Sequence, residues 1–82
     1  MDIQPKYKCG TKLYHLKDNK LEEVVVEKVR IEVVLDENGV FDYEESYYLK
    51  PLLGARYWID IAEINDRYFK SKEELKKSIF GE

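Results

Sequence analysis

Residues 21–49, LEEVVVEKVRIEVVLDENGVFDYEESYYL, contain two runs in which apolar and polar residues alternate, separated by Asp36-Glu37-Asn38-Gly39. Asn-Gly between two such runs is the strongest short-range sign of a β-hairpin, because both residues tolerate a positive φ. The runs cover residues 21–35 and 40–49, and each alternates over most of its length, as a half-buried strand does. This stretch therefore predicts a long antiparallel hairpin.

The first of these strands is interrupted at Glu27. One face of the strand carries Val25, Val29, Ile31, Val33 and Leu35, and Glu27 falls among them. The opposite face carries Lys28, Arg30 and Glu32, but also Val24 and Val26. A strand that is wetted at one end and buried on both sides at the other is usually bent, and bending of a long strand is how small barrels close. We therefore expect this strand to curve.

Shorter elements are predicted on both sides of the hairpin. Residues 12–16 form a predicted strand, followed by a tight turn at residues 17–20, because Asp and Asn tolerate the left-handed conformation. Residues 50–54 contain Pro and Gly and predict another turn. Residues 56–61 alternate as a further strand, which residues 62–65 either continue or follow with a short fifth strand.

The C-terminal segment has the signature of a capped helix. Ser71-Lys72-Glu73-Glu74 is a capping box, in which Ser71 accepts a hydrogen bond from the backbone N–H of Glu74. Leu75, Ile79 and Phe80 then form one apolar stripe. A helix this short is marginal alone, so we expect the helix over residues 71–80 to dock on the sheet.

These elements predict a mainly β fold in one domain spanning residues 1–82. The expected architecture is a small antiparallel SH3-like barrel of four to five strands with one short C-terminal α-helix. The strand-forming Val, Ile and Tyr residues are numerous, and only two alanines are present, which disfavours a helical bundle. Residues 1–5 are expected to be disordered.

A set of short motifs adds a resemblance. The set comprises Gly10, Leu13 and Tyr14, then Asp18, Asn19 and Lys20, then Phe69 with Ser71, Lys72, Glu73, Glu74 and Leu75. The order of elements resembles the small SH3-like barrels, and these motifs resemble a group of uncharacterised phage and mobile-element proteins. The resemblance implies a fold and a host context, and it implies no established activity. The chain departs from the group in having His15 inside the first strand and an unusually acidic central hairpin.

Charge is distributed unevenly along the chain, whose net charge is −3. Residues 21–49 hold nine acids against two bases, whereas residues 1–20 and 50–82 are mildly basic. No apolar run approaches the length of about 18 residues that a membrane span needs, so no membrane association is expected. The N-terminus lacks the apolar core of a secretory signal, and Cys9 is the only cysteine. A cytoplasmic location is therefore expected.

The sequence predicts no enzyme and no catalytic, cofactor or metal site. His15 is the only histidine, and no orienting partner or nucleophile can be assigned to it from the sequence. Zinc needs about four Cys or His ligands, and the chain holds two such residues. Asp36-x-Asn38-Gly39 superficially resembles a calcium loop, but the hairpin turn accounts for each of its residues.

The acidic, tyrosine-rich half of the hairpin is the candidate interaction surface. It comprises Asp36, Glu37, Asp42, Tyr43, Glu44, Glu45, Tyr47 and Tyr48. Two interpretations stay open: a solvated strand edge whose charge discourages aggregation, or a surface that docks on a partner. Leu52 and Leu53, at a predicted turn, are a secondary candidate; they either fold back as a barrel plug or, if exposed, anchor a partner.

The function expected from this pattern is that of a small, non-enzymatic binding module of phage or mobile-element type. Its expected partner is another protein of basic character, and the oligomeric state is left open. A first alternative is an acidic protein that mimics nucleic acid and blocks a host nucleic-acid-binding factor, for example in anti-defence. A second is a weak nucleic-acid-binding SH3-like domain in which Arg56, Tyr57 and Trp58 stack on bases. The low pI disfavours this alternative, because phosphate contacts need Lys and Arg.

Overall fold

A single antiparallel sheet with two short helices forms the fold. The computed structural model describes residues 4–81, so residues 1–3 of the segment expected to be disordered lie outside the described residues. The elements are β1 (Lys12–Lys17), β2 (Lys20–Leu35), β3 (Phe41–Pro51), β4 (Tyr57–Asp60), α1 (Ile61–Arg67) and α2 (Lys72–Phe80). The strands lie in the order β1-β2-β3-β4. The predicted mainly β class and the C-terminal helix are confirmed.

The sheet is open, and the expected closure into an SH3-like barrel is not formed. Strands β1 and β4 are its two edges, and no ladder between them joins the described residues. Where a continued or fifth strand was expected, the chain forms α1, because the Asp60 side chain accepts a hydrogen bond from the Glu63 N–H at 3.0 Å and caps the helix. The helix covers the open side of the sheet with Ile64, which is fully buried.

Strand β2 contains a one-residue bulge. The sequence had suggested a strand with one exposed face at one end and two buried faces at the other, and the bulge accounts for the same pattern of residues. Val26 pairs with Leu49 and Lys28 pairs with Tyr48, so Glu27 is the extra residue. A bulge shifts the side-chain alternation by one position and bends the strand. Val24 and Val26, before the bulge, therefore share the core side of the sheet with Val29, after it.

The core lies on one side of the sheet, beneath α1 and the segment that follows it. Its buried residues are Tyr7, Leu13, Val24, Val26, Tyr47, Leu49, Ile64 and Tyr68. The Tyr47 hydroxyl accepts the Tyr7 N–H at 3.1 Å and donates to the Glu45 carboxylate. Helix α2 is capped at Ser71 as predicted, but it buries only Leu75, whereas Ile79 and Phe80 are exposed.

The hairpin of β2 and β3 extends beyond the four-stranded part of the sheet. Strand β1 pairs only with residues 20–25 of β2, and β4 pairs only with residues 46–49 of β3. Residues 31–45 are therefore a two-stranded projection, which we call the arm. At its tip the Asp36 side chain accepts the N–H groups of Asn38 and Val40, and Gly39 has a φ of 78°. The arm contributes to the elongated dimensions of 43 × 28 × 23 Å.

Deletion of Glu27 is predicted to abolish the fold. Without the bulge, Val24 and Val26 would lie on the face opposite Val29, and burial of each such side chain is worth about 1.5–3 kcal/mol. Thermal unfolding followed by circular dichroism should show no cooperative transition. The control is Glu27→Ala, which keeps the bulge and loses only the half-exposed ion pair with Arg56, so its stability should stay within about 1 kcal/mol of the native value. A deletion variant as stable as this control would contradict the prediction.

Candidate interaction surface

The arm has two faces of different character. Its inner face continues the core side of the sheet and carries Ile31, Val33, Leu35, Phe41, Tyr43 and Glu45. Its outer face carries Glu32, Val34, Asp42 and Glu44. The division follows from the register, since directly paired residues such as Val33 and Tyr43 project to the same side of a sheet.

The apolar residues of the inner face are open to solvent. Val33 is 55% exposed, Leu35 62% and Phe41 71%. These three residues lie beyond the ends of β1 and β4, so neither strand lies beside this part of the hairpin. Because they form cross-strand neighbours rather than isolated surface residues, they constitute a contiguous apolar patch, which is typical of an interaction surface.

The arm is strongly acidic. Residues 31–45 contain six carboxylates and no Lys or Arg, while the remaining residues hold fourteen bases and eleven acids. The arm therefore carries −6 and the rest of the chain +3. Glu32 and Glu44 lie directly opposite each other on the outer face, an arrangement that is destabilising for like charges. Glu32 also forms an ion pair with Arg30, just outside the arm, whose Nε lies 3.1 Å from Glu32 Oε1.

The structure divides the eight residues of the predicted surface into several environments. Asp36 and Glu37 lie in the turn, Asp42 and Glu44 on the outer face, and Tyr43 and Glu45 on the inner face. Tyr47 is fully buried in the core and so is not part of any surface. Tyr48 is half-buried, with its ring centroid 5.0 Å from that of Trp58. Glu45 accepts the Lys6 N–H at 3.1 Å, which gives it a structural role.

The exposed apolar residues Val33, Leu35 and Phe41 were missed as site residues by the sequence analysis. Their alternation predicted a strand face turned toward the core, and it is the absence of neighbouring strands that exposes them. One available signal was strand length. The two hairpin strands were predicted to be much longer than their neighbours, so the tip of the hairpin had no third strand to pack against.

Leu52 and Leu53 lie at the opposite end of β3 from the arm. They are 77% and 83% exposed, so they do not fold back as a plug. They line a shallow depression together with Leu21 and charged residues, namely Lys17, Asp18, Lys20, Glu22 and Glu23. The secondary candidate surface is therefore exposed and separate from the arm.

A polar cluster fills the gap between the edge strands. His15 of β1 has its Nε2 2.7 Å from Glu22 Oε1, and its ring stacks on Tyr68 with centroids 4.3 Å apart. The Tyr68 hydroxyl shares a hydrogen bond of 2.6 Å with that of Tyr57 in β4. His15 thus has the partners that the sequence alone did not identify. The cavity of about 350 Å³ beside this cluster has no Ser, Thr or Cys in its lining.

Burial is the main cause of the raised pKa values of Tyr47, Tyr57 and Tyr68. It raises the pKa of Tyr68, and the hydrogen bond to Tyr57 acts in the same direction. It also raises the pKa of Tyr57. Burial, together with the hydrogen bond to Glu45, raises the pKa of Tyr47 to about 12. All three hydroxyls therefore stay protonated in the folded state above the ordinary tyrosine value of about 10.

Within residues 4–81, no three His, Cys, Asp or Glu side chains are grouped so that they could hold a metal ion. Neither helix of that part of the chain has the length and apolar character needed to cross a membrane. Comparison with protein-family models, with curated proteins and with solved structures yields no match.

Stability is predicted to fall as the pH rises above about 10, the ordinary tyrosine pKa. The unfolded chain then loses tyrosine protons that the folded state retains, so each rise in pH favours unfolding, by up to about 1.4 kcal/mol per pH unit for one such tyrosine. Urea unfolding at pH 8, 10 and 11 measures this slope. The Tyr68→Phe variant should be less stable than the wild type at pH 8, because it loses the hydrogen bond to Tyr57. Its free energy of unfolding should fall less steeply with pH than that of the wild type. Equal slopes in the two proteins would show that Tyr68 does not contribute.

Glu44→Gln is predicted to stabilise the fold. The substitution removes the repulsion between Glu44 and Glu32, and should raise the free energy of unfolding by about 0.5 kcal/mol. The gain should shrink at high salt, because exposed charges are screened. Glu37→Gln, in the turn of the arm, also removes one charge of the arm but has no carboxylate opposite it in the ladder, and it is the matched control. A loss of stability in Glu44→Gln alone would mean that the carboxylate makes a favourable contact.

Proposed function

We propose that this protein is a small, non-enzymatic interaction module whose arm binds a basic partner protein. The observation that carries the proposal is the exposed apolar inner face of an arm that holds six carboxylates and no base. Burial of such apolar area beneath a partner stabilises the complex, and the carboxylates of the arm favour a partner of opposite charge.

The two properties of the arm have different roles in binding. Phe41 and Leu35 are the most exposed apolar residues of the inner face and are directly paired, so they are the natural anchors of an interface. Glu32, Asp42 and Glu44 lie on the outer face, behind this patch, and give the arm much of its negative charge. Anchors of this type mainly set the dissociation rate, whereas peripheral charges mainly raise the association rate.

The positions of the groups that could stack on bases disfavour direct nucleic-acid binding. The sequence suggested Arg56, Tyr57 and Trp58 for that purpose. Arg56 is paired with Glu27, and the Tyr57 hydroxyl is bonded to Tyr68 on the core side. Trp58 lies on the other face, with the Arg30 guanidinium 4.4 Å from its ring centroid. The three side chains therefore do not form one stacking platform.

A second candidate function is blocking of a nucleic-acid-binding factor. The outer face and the tip hold Glu32, Asp36, Glu37, Asp42 and Glu44 without a Lys or Arg among them. Such a surface would attract the same Lys and Arg residues that hold phosphates in a nucleic-acid complex. If the partner is of this kind, the wild-type protein should displace DNA or RNA from it.

We propose a host cytoplasm as the location of this module, on the basis of the resemblance of its motifs to those of phage and mobile-element proteins. The exposed single thiol of Cys9 suits a reducing compartment, where it has no need of a disulfide partner.

The proposal predicts that two sets of arm substitutions weaken binding in different ways. Partners are first isolated on the immobilised protein, and the purified partner is then measured by surface plasmon resonance. Leu35→Ser with Phe41→Ser should accelerate dissociation at least about tenfold, because the anchors are lost. Glu32→Gln with Asp42→Asn and Glu44→Gln should slow association, and this effect should shrink as salt rises.

Matched controls separate the arm from other surfaces. Leu52→Ser with Leu53→Ser removes two exposed leucines from the secondary candidate surface, and Glu63→Gln with Asp66→Asn and Glu73→Gln removes three carboxylates from the helices. Both control proteins should bind as the wild type does. A purified partner that is unaffected by the arm variants but lost with the leucine variant would move the site to Leu52 and Leu53.

A further inference from the structure

The side of β2 that faces away from β3 is uncovered along the arm. The described part of the segment before β1 reaches this edge of β2 only at Val26. The Val26 carbonyl accepts the Gly10 N–H at 2.7 Å, and the Val26 N–H donates to the Thr11 carbonyl at 2.9 Å. Gly10 has a φ of 93°, and the chain diverges from β2 there. Among the described residues, no strand or bridge pairs with residues 28–35 from this side.

The hydrogen-bond pattern identifies the backbone groups at this free edge. The Asp36 N–H donates to the Val40 carbonyl at 2.9 Å, which makes that pair a hydrogen-bonded one. Bonded and non-bonded pairs alternate along an antiparallel ladder. Val29, Ile31, Val33 and Leu35 are therefore the β2 residues whose N–H and C=O groups point away from β3, toward the free edge.

The other edges of the sheet are shorter or already occupied. On β1, the outer side of Tyr14 exchanges two hydrogen bonds with Phe69, at 2.8 and 2.9 Å. Strand β4 has four residues and continues directly into α1. The part of β3 beyond β4 spans residues 41–45, compared with residues 28–35 for the part of β2 beyond β1. The edge of β2 is thus the longest open template for another strand.

The sequence of this edge does little to prevent strand addition. Residues 28–35, KVRIEVVL, are rich in β-branched residues and contain no Pro or Gly. What guards the edge is the charge of the arm, because a second copy would bring another −6 against it. The same charge attracts a strand that carries Lys or Arg.

We infer that an extended partner segment of alternating apolar and basic residues adds to the free edge of β2 as a fifth strand. The inference rests on the proposed function and specifies how the arm binds. An added strand continues the pleat, so its apolar residues would lie beside Ile31, Val33 and Leu35 on the inner face. A basic residue of the added strand would lie on the outer face beside Glu32, one strand further from Glu44, whereas the positions earlier in β2 on this face carry Lys28 and Arg30.

A designed peptide tests the inference without knowledge of the natural partner. The probe is a capped peptide of about eight residues in which Val and Lys alternate, and a second peptide of equal composition has its Val and Lys residues in separate blocks. Amide hydrogen exchange of the full chain is followed by NMR with each peptide. With the alternating peptide, the amides of Val29, Ile31, Val33 and Leu35 should exchange at least about tenfold more slowly.

The distribution of protection decides between the alternatives. The blocked peptide should bind by charge alone and protect none of these amides, and its binding should disappear at high salt. Protection confined to residues 41–45, or no protection by the alternating peptide, would overturn the inference. Protection that grows with protein concentration in the absence of peptide would identify a second copy as the occupant and would also overturn it.

A pair of substitutions at Val33 separates this mode from docking on the inner face alone. Val33→Pro removes the N–H that points to the free edge but keeps an apolar side chain, and Pro is tolerated on edge strands in this orientation. Val33→Ala keeps the N–H and loses apolar area. Strand addition predicts that the Pro variant binds the alternating peptide at least about tenfold more weakly than the Ala variant does. If the Ala variant is equally weak or weaker, the inner face binds without strand addition, and the proposed function survives while the inference fails.

Native-like amide chemical-shift dispersion in both Val33 variants establishes that each is folded before binding is compared. Should the Pro variant be unfolded, the wild-type exchange pattern decides the question without it.

Discussion

The alternation of side chains along β2 is the constraint on which the structure depends. This strand has to supply Val24 and Val26 to the core beside β1, and Val29 to the same core beside Tyr47. A regular strand cannot do this, because residues separated by an odd number of positions project to opposite faces. The extra residue at Glu27 resolves the conflict, since a bulge moves the alternation by one position and bends the strand. One long strand can therefore build the core and still continue outward as half of the arm.

The open side of the sheet is closed by side chains instead of by a fifth strand. Asp60 starts α1 directly after β4, and the helix places Ile64 and then Tyr68 over the core. Tyr68 bridges the two edge strands, because its ring stacks on His15 and its hydroxyl bonds to Tyr57. The body of the protein is thus covered by a short helix and one aromatic side chain. Within the described residues, the longest uncovered edges are those of the arm.

Local signals in the sequence were sufficient for part of this fold. The hairpin turn at Asn38-Gly39 and the cap at Ser71 were predictable because each depends on a few adjacent residues. Helix α1 was missed because the alternation around Trp58 favoured a strand, although Asp60 followed three residues later by Glu63 is itself a capping pattern. The bulge and the open sheet were not predictable, since both depend on which strands pair and over what length.

The acidic half of the candidate interaction surface was predictable from charge, and its apolar half was not. Asp42 and Glu44 are exposed as expected, because carboxylates in a hairpin seldom lie in a core. Tyr47 was assigned to the surface and is buried, since alternation gives the two faces of a strand without showing which neighbours cover them. For the same reason Phe41 and Leu35 were expected to be covered and instead project from the arm.

The distribution of charge also determines how the molecule would meet a basic partner. The arm carries −6 and the rest of the chain +3, and the longest dimension of the molecule, 43 Å, exceeds the screening length of about 8 Å at physiological ionic strength several times. The two regions therefore act on a partner as separate patches. A basic surface is attracted by the arm and repelled by the rest of the protein, so productive encounters begin at the arm. Glu32 and Glu44 lie directly opposite each other, and a local conflict of like charges is expected where a surface is arranged for binding. If the arm binds as proposed, its carboxylates would attract a basic partner and would also oppose the pairing of the apolar inner faces of two copies.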